Sequence, residues 1–288
     1  MTRTLTLHAT GPLTTVQDLG RPGYAGIGVG RSGAADRGAL RQGNRALGNP
    51  EGAAGLEITL GGLDVEVGDE ALWLCVTGAV CDLTVDGRGM GSHAPVRVEA
   101  GARVRVGSPS VGLRSYLCVR GGVDADLVLG SRSRDLLAGL GPEIDAGTVL
   151  PVGEPAGAMP GIDHLPWPRV SADEPVVLRA VRGPRADWVA DPDLLTATTW
   201  TATDRSNRVG ARLDGARFEH ARDRQLPSEG AWRGAVQVPP SGQPVLFLAD
   251  HPVTGGYPVV AVVVVDDVDL AAQVRPGQSL RFRWVEAP

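Results

Sequence analysis

Lysine is absent from the 288-residue chain: all 28 basic residues are arginine. This excludes from the chain a Schiff-base lysine, the phosphate-loop lysine of a Walker A motif and a biotinyl-lysine. Any phosphate or carboxylate must be held by arginine, backbone amides or metal. Cysteine is scarce, and Cys75, Cys81 and Cys118 lack C-x-x-C spacing. An odd, scattered set excludes a disulfide framework or zinc knuckle and predicts a reducing compartment. His8, His93, His164, His220 and His251 show no H-x-H or H-E-x-x-H pattern, so no metal site is expected. The longest apolar run, Val259–Val265, is too short to cross a bilayer. The N-terminal residues Met1-Thr-Arg-Thr-Leu-Thr-Leu7 alternate like a strand and lack the basic-then-apolar pattern of a signal peptide. A net charge of -5 disfavours a phosphate-neutralising footprint. The expectation is a cytoplasmic protein that uses neither nucleic acid nor membrane.

What is present is β-rich. Leu72–Val76, Cys81–Val85, Arg103–Val106 and Val176–Arg179 read as short strands separated by glycine, aspartate and proline, a pattern of sandwiches and barrels. Asp86-Gly87 accepts the positive φ of a type I′ turn and predicts a hairpin. A glycine turn feeding a strand recurs at Ala100–Val106, Ala146–Val152 and Pro276–Phe282, a hint of a duplicated β module. One helix is expected over Ala34–Leu47, with Asp36 near its start and Gly48-Asn49-Pro50 closing it. Shorter helices are expected over Ala186–Leu195 and Asp267–Gln273. The proline-rich segment Pro151–Pro175 reads as a linker, which puts a domain boundary there.

Gly28-Val-Gly-Arg-Ser-Gly33 has the G-x-G-x-x-G spacing and precedes the expected helix, whose first amides offer donors to an anion. A dinucleotide fold is not expected, because a turn-rich loop stands where the upstream strand of a βαβ unit belongs. Gly30-Arg-Ser-Gly-Ala34 misses the G-x-S-x-G nucleophile elbow at Ala34. Three segments gather polar groups. They are Gln17, Asp18 and Arg21 with Ser32 and Asp36; Arg205, Arg208 and Arg212, spaced three and four apart; and Ser228-Glu229 with Gln237 and the Asp250–Pro258 turn. Arginine forks suit carboxylate or phosphate, and acidic groups in a cleft hold metal or act as bases. The other reading, surface turns built from the same residue types, is equally open. His251 reads as a lone solvent-facing or core histidine.

These stretches resemble the carboxyltransferase domain, subdomain A and B family, also called the allophanate hydrolase subunit 2 family. The matching residues include Thr15-Val-Gln-Asp-Leu-Gly-Arg-Pro-Gly23, Ser32-Gly-Ala-Ala-Asp36, Val119-Arg-Gly-Gly122, Leu129-Gly-Ser-Arg-Ser133, Asp204-Arg205, Ser228-Glu-Gly230, Gln237-Val-Pro-Pro240 and Thr254-Gly-Gly-Tyr-Pro258. The resemblance implies a mainly β chain with cyclophilin-like β-barrel lobes and few short helices. Residues 1–160 would form an N-terminal β-rich lobe and 161–288 a C-terminal barrel lobe, with interlacing allowed. It further implies a subunit of an ATP-dependent 5-oxoprolinase, opening the lactam of 5-oxoproline to glutamate with magnesium in the complex. The implied partners are a subunit 1 homologue resembling a kinase inhibitor and a lactam-utilisation subunit. The implied catalytic residues are Asp18, Arg21, Asp36, Arg205 and Glu229, with Gln17, Ser32, Arg208, Gln237, Gly255, Gly256 and Tyr257 binding substrate. The alternatives are a carboxyltransferase half-domain that takes CO₂ from carboxybiotin on another chain and passes it to urea, and a regulatory antagonist that binds the subunit 1 homologue.

Overall fold

Short β-branched runs between turn glycines build the two units of this chain, whose computed structural model describes residues 2–167, 170–171 and 173–286. Met1–Arg21, Ser32–Asp135 and Gly139–Arg169 make the first unit, and Pro22–Arg31, Leu136–Ala138 and Val170–Pro288 the second.

The first unit contains β1 (Thr4–Thr10), β2 (Leu13–Gln17), α1 (Arg37–Ala46), β3 (Gly55–Thr59), β4 (Leu63–Val67), β5 (Leu72–Val85), β6 (Arg88–Met90), β7 (Pro95–Val98), β8 (Arg103–Val119) and β9 (Val149–Pro151). Among the described residues these strands form a nine-stranded sheet in the order β2-β3-β8-β4-β1-β9. The long β5 pairs along β8 and carries β6 and β7. The expected strands Leu72–Val76 and Cys81–Val85 are one strand. Gly78 at φ +86 and three shifts of register between Gly78 and Leu83 bend it without ending it. The expected hairpin is present: Val85 pairs with Arg88, and Asp86 and Gly87 take φ +48 and +77.

Helix α1 starts at Arg37 and not at Ala34, because the Asp36 carboxylate accepts the Ala39 amide at 2.9 Å and so fixes the cap. Its face of Ala39, Leu40, Gly43 and Ala46 is buried with Cys75, Tyr116 and Cys118 in one apolar cluster. Gly43 permits this approach, since a Cβ there would lie 2.7 Å from Cys118 Sγ.

The second unit contains β10 (Val176–Arg182), α2 (Leu194–Ala197), β11 (Trp200–Ala202), β12 (Gly210–Asp214), β13 (Glu229–Gly230), β14 (Ala235–Gln237), β15 (Val245–Phe247), β16 (Thr254–Gly255), β17 (Val259–Val263), α3 (Val265–Ala271) and β18 (Ser279–Trp284). Seven of these strands close a barrel in the order β10-β17-β14-β15-β12-β11-β18, sealed by the parallel pair β10–β18. The helix expected over Ala186–Leu195 is split into a 3₁₀ turn at Ala186–Trp188 and the short α2. Pro192 between them has no amide proton and disfavours helical backbone at Asp191. The third expected helix is present as α3, two residues earlier than its sequence signal. The chain is thus mainly β with a closed barrel and short helices, the architecture expected of a cyclophilin-like fold.

Candidate functional site

At the end of β2 the polar residues of the first unit turn inward. Asp18 accepts the Gly20 amide at 2.7 Å, the Arg132 amide at 2.7 Å and the hydroxyls of Ser131 and Ser133 at 2.7 and 2.5 Å. Both serines are fully buried. The Arg21 guanidinium is 1% exposed; it donates to the carbonyls of Ser133 and Val128 and lies 3.9 Å from Asp135. Gln17 Nε2 donates to the Arg134 carbonyl at 2.8 Å, and the Ser32 hydroxyl donates to the same oxygen. A buried charge requires partners, and here the partners are the 128–135 loop itself. Asp18, Arg21, Gln17 and Ser32 are thus committed to holding that loop, and Asp18 also lines a cavity of about 210 Å³ with Asn49, Gly121 and Arg132. Asp36 is likewise committed as the cap of α1. The Ala35 amide donates to Glu57 and the Asp36 amide to the Tyr116 hydroxyl. The chain's own groups therefore take up amides at the helix start, where the sequence offers donors to an anion. Burial, with the neighbouring Glu57 and Asp36 charges, pushes the Tyr116 hydroxyl far above its ordinary pKa, so it stays protonated.

The second unit separates its candidates in the same way. Arg208, 1% exposed, is locked to Asp250 by two parallel bonds of 2.9 Å, and Asp250 also accepts the Leu136 amide. Glu229 pairs with Arg185, whose pKa it raises through that hydrogen bond. Arg205 lies in an exposed turn after Thr203. None of these three lines the cavity described next.

That cavity, about 490 Å³, lies on the outer face of the barrel, a volume within the usual range for small-molecule sites. Strand alternation explains its walls. Gly210 and Arg212 on β12 pair with Phe247 and Val245 on β15, and Val245 pairs in turn with Gln237 on β14. These five residues share one face, while Ala211, Leu213, Leu246 and Val236 point into the barrel and are buried. The turn Thr254–Tyr257, anchored by the β13–β16 ribbon, lines the cavity too. Gln237 Nε2 donates to the Tyr257 carbonyl at 3.1 Å. A Cβ at Gly255 would lie 2.5 Å from Gln237 Nε2, so any larger residue there would displace the Gln237 carboxamide. Of the expected site residues, the structure brings Gln237, Gly255, Gly256 and Tyr257 together in this cavity. It also adds Asn207 and Arg212, which lay in the arginine cluster without an assigned role. The period-two alternation from Gly210 to Arg212 was the signal for the latter. His251 is not in the wall; it stacks on Phe247 with ring centroids 5.8 Å apart.

The sequence profile described as carboxyltransferase domain, subdomain A and B, matches residues 27–284. The chain belongs to this family. Among its relatives is a 5-oxoprolinase subunit of Escherichia coli (strain K12), 36% identical over 287 residues that cover 96% of this chain and 90% of the relative. A 5-oxoprolinase subunit of Haemophilus influenzae is 34% identical, covering 94% and 88%. In the crystal structure of the K. lactis urea amidolyase, one segment superposes with a TM-score of 0.90 at 28% identity. That match covers 99% of this chain and 19% of the amidolyase.

Proposed function

We propose that this chain is a subunit of an ATP-dependent 5-oxoprolinase and opens the lactam of 5-oxoproline to glutamate together with a subunit 1 type partner. One observation carries the reading: the correspondence with the two bacterial 5-oxoprolinase subunits covers 96% and 94% of this chain and 90% and 88% of theirs. In this reading the barrel cavity holds the lactam. Its apolar wall displaces water, and the amides of the Gly255-Gly256 turn stand where charge grows on the lactam oxygen as the carbon is attacked.

Among the described residues no three histidine, cysteine or carboxylate groups converge on a metal position. Arg21 and Arg208 are consumed by internal partners. We therefore assign ATP and its magnesium to a partner subunit, such as the subunit 1 homologue or a lactam-utilisation subunit. Among the described residues no helix is long and apolar enough to cross a membrane.

The extent of the superposition on the urea amidolyase favours one other reading, carboxyl transfer from carboxybiotin held on a separate chain. Affinity purification from the native host separates the two. Co-purifying subunits with 5-oxoproline-dependent ATP hydrolysis and no streptavidin signal would support the oxoprolinase. A biotinylated carboxylase in the eluate would replace it with carboxyl transfer. A subunit 1 homologue alone, without turnover, would leave only the role of regulatory binder.

A further inference from the structure

We propose that Arg212 and Gln237 are the specificity pair of the barrel cavity and select a compact ligand that carries a carboxylate and an amide N–H on a short apolar frame. The inference rests on the oxoprolinase reading and says how this subunit recognises its substrate.

Three observations converge on it. Arg212 lines the cavity from an exposed position on β12, and its side chain has no partner among the described residues. Every other arginine singled out from the sequence is either tied to an internal partner, as Arg21 and Arg208 are, or lies outside the wall, as Arg205 does. An unpaired guanidinium at the rim of an apolar cavity is a fork for a planar oxyanion.

Gln237 is 5% exposed, and its Nε2 is held by the Tyr257 carbonyl. Its Oε1 accepts no bond from any described residue, yet it is not among the side-chain oxygens sealed from solvent. It therefore opens onto the cavity as an acceptor whose orientation is fixed. A buried acceptor of this kind favours a ligand N–H and penalises a ligand that offers only another acceptor.

The pairing register supplies the spacing. Arg212 and Gln237 both pair with Val245, so they stand two strands apart, about 10 Å between backbones. Val245 and Phe247 floor the gap, which suits the methylenes of a small ring. One guanidinium and one carboxamide over an apolar floor match a singly charged lactam acid better than a polyphosphate, which draws several cations.

The test is calorimetric titration of the full chain, and of the purified complex, with three ligands of one shape. These are 5-oxoproline, 2-pyrrolidinone without the carboxylate, and 5-oxotetrahydrofuran-2-carboxylate, the lactone that keeps the ring carbonyl and replaces the N–H by oxygen. The expected result is saturable binding of 5-oxoproline and about 10- to 100-fold weaker binding of the other two. Arg212→Met should bring 5-oxoproline down to the affinity of 2-pyrrolidinone and leave 2-pyrrolidinone unchanged. Gln237→Met, which removes the acceptor and keeps the side-chain length, should erase the preference for the N–H-bearing ligand. Equal binding of all three, no saturable binding in either preparation, or an Arg212→Met chain that still prefers the carboxylate would each overturn the assignment. Turnover of the complex separates this from the larger reading. If the complex hydrolyses 5-oxoproline and Arg212→Met leaves KM unchanged, the pair is wrong and the subunit role stands. If the wild-type complex does not turn over 5-oxoproline, the subunit role falls.

Discussion

Two arginines three positions apart in the sequence have opposite fates, and the difference is burial. Arg208 shares two hydrogen bonds with Asp250 in the protein interior, whereas Arg205 stands in an exposed turn. Arg208→Ala strands the Asp250 carboxylate and should cost about 3–5 kcal/mol, while Arg205→Ala should stay within about 0.5 kcal/mol; urea unfolding of the two variants measures both. Arg205, Arg208 and Arg212, spaced three and four apart, occupy a turn, a loop and a strand, so their partners follow from tertiary contacts that spacing does not encode. Asp18 and Arg21 show the same limit: their chemistry was readable, but the loop at 128–135 that consumes it lies more than a hundred positions away. Gln237 and Gly255 were legible as binding residues through the family resemblance alone, since the turn that meets Gln237 lies twenty positions along the chain. At the same scale, burial raises the Cys75 thiol to about 12 and pushes Cys118 well above its ordinary value. At pH 8 all three thiols, Cys81 included, should resist Ellman's reagent in the native chain and react fully once guanidinium is added.

Elements were legible where a cap or turn is written in neighbouring residues. The Asp86-Gly87 hairpin and α1 both formed as their signals implied, whereas the continuity of β5 through Gly78 depends on pairing with β8, which alternation within one strand cannot reveal. Asp36 is the test of α1 at this scale. Asp36→Ala should lose about 1 kcal/mol, within the 0.5–2 kcal/mol range for a lost cap, and Asp36→Asn should recover most of it. Thermal melts of the three proteins measure the difference. A loss no larger than that of an exposed-site substitution would mean the cap contributes nothing.

For the whole molecule, the acid limb of stability has a visible contributor. His93 is 1% exposed at φ +60. Its amide donates to Val76 and its carbonyl accepts from Leu165, which ties β5 to the segment before Trp167. Burial lowers its pKa below 6.5, outweighing a backbone hydrogen bond that raises it. The folded state therefore binds this proton less readily than the unfolded one. Its contribution is complete above about pH 6.5 and is lost as the pH falls below that, at up to about 1.4 kcal/mol per pH unit. His93→Asn, which keeps a residue tolerant of positive φ, should flatten the stability profile between pH 7 and pH 5. A profile as steep as that of the wild type would assign the acid limb to other groups. The division of the chain has a consequence for ancestry. Neither unit is an unbroken stretch, since Pro22–Arg31 and Leu136–Ala138 belong with the barrel and are encoded inside the other unit. A recombination break at any single position therefore delivers at least one unit incomplete. Inheritance must move the two as one cassette, which is how the same architecture stands entire within the much longer amidolyase.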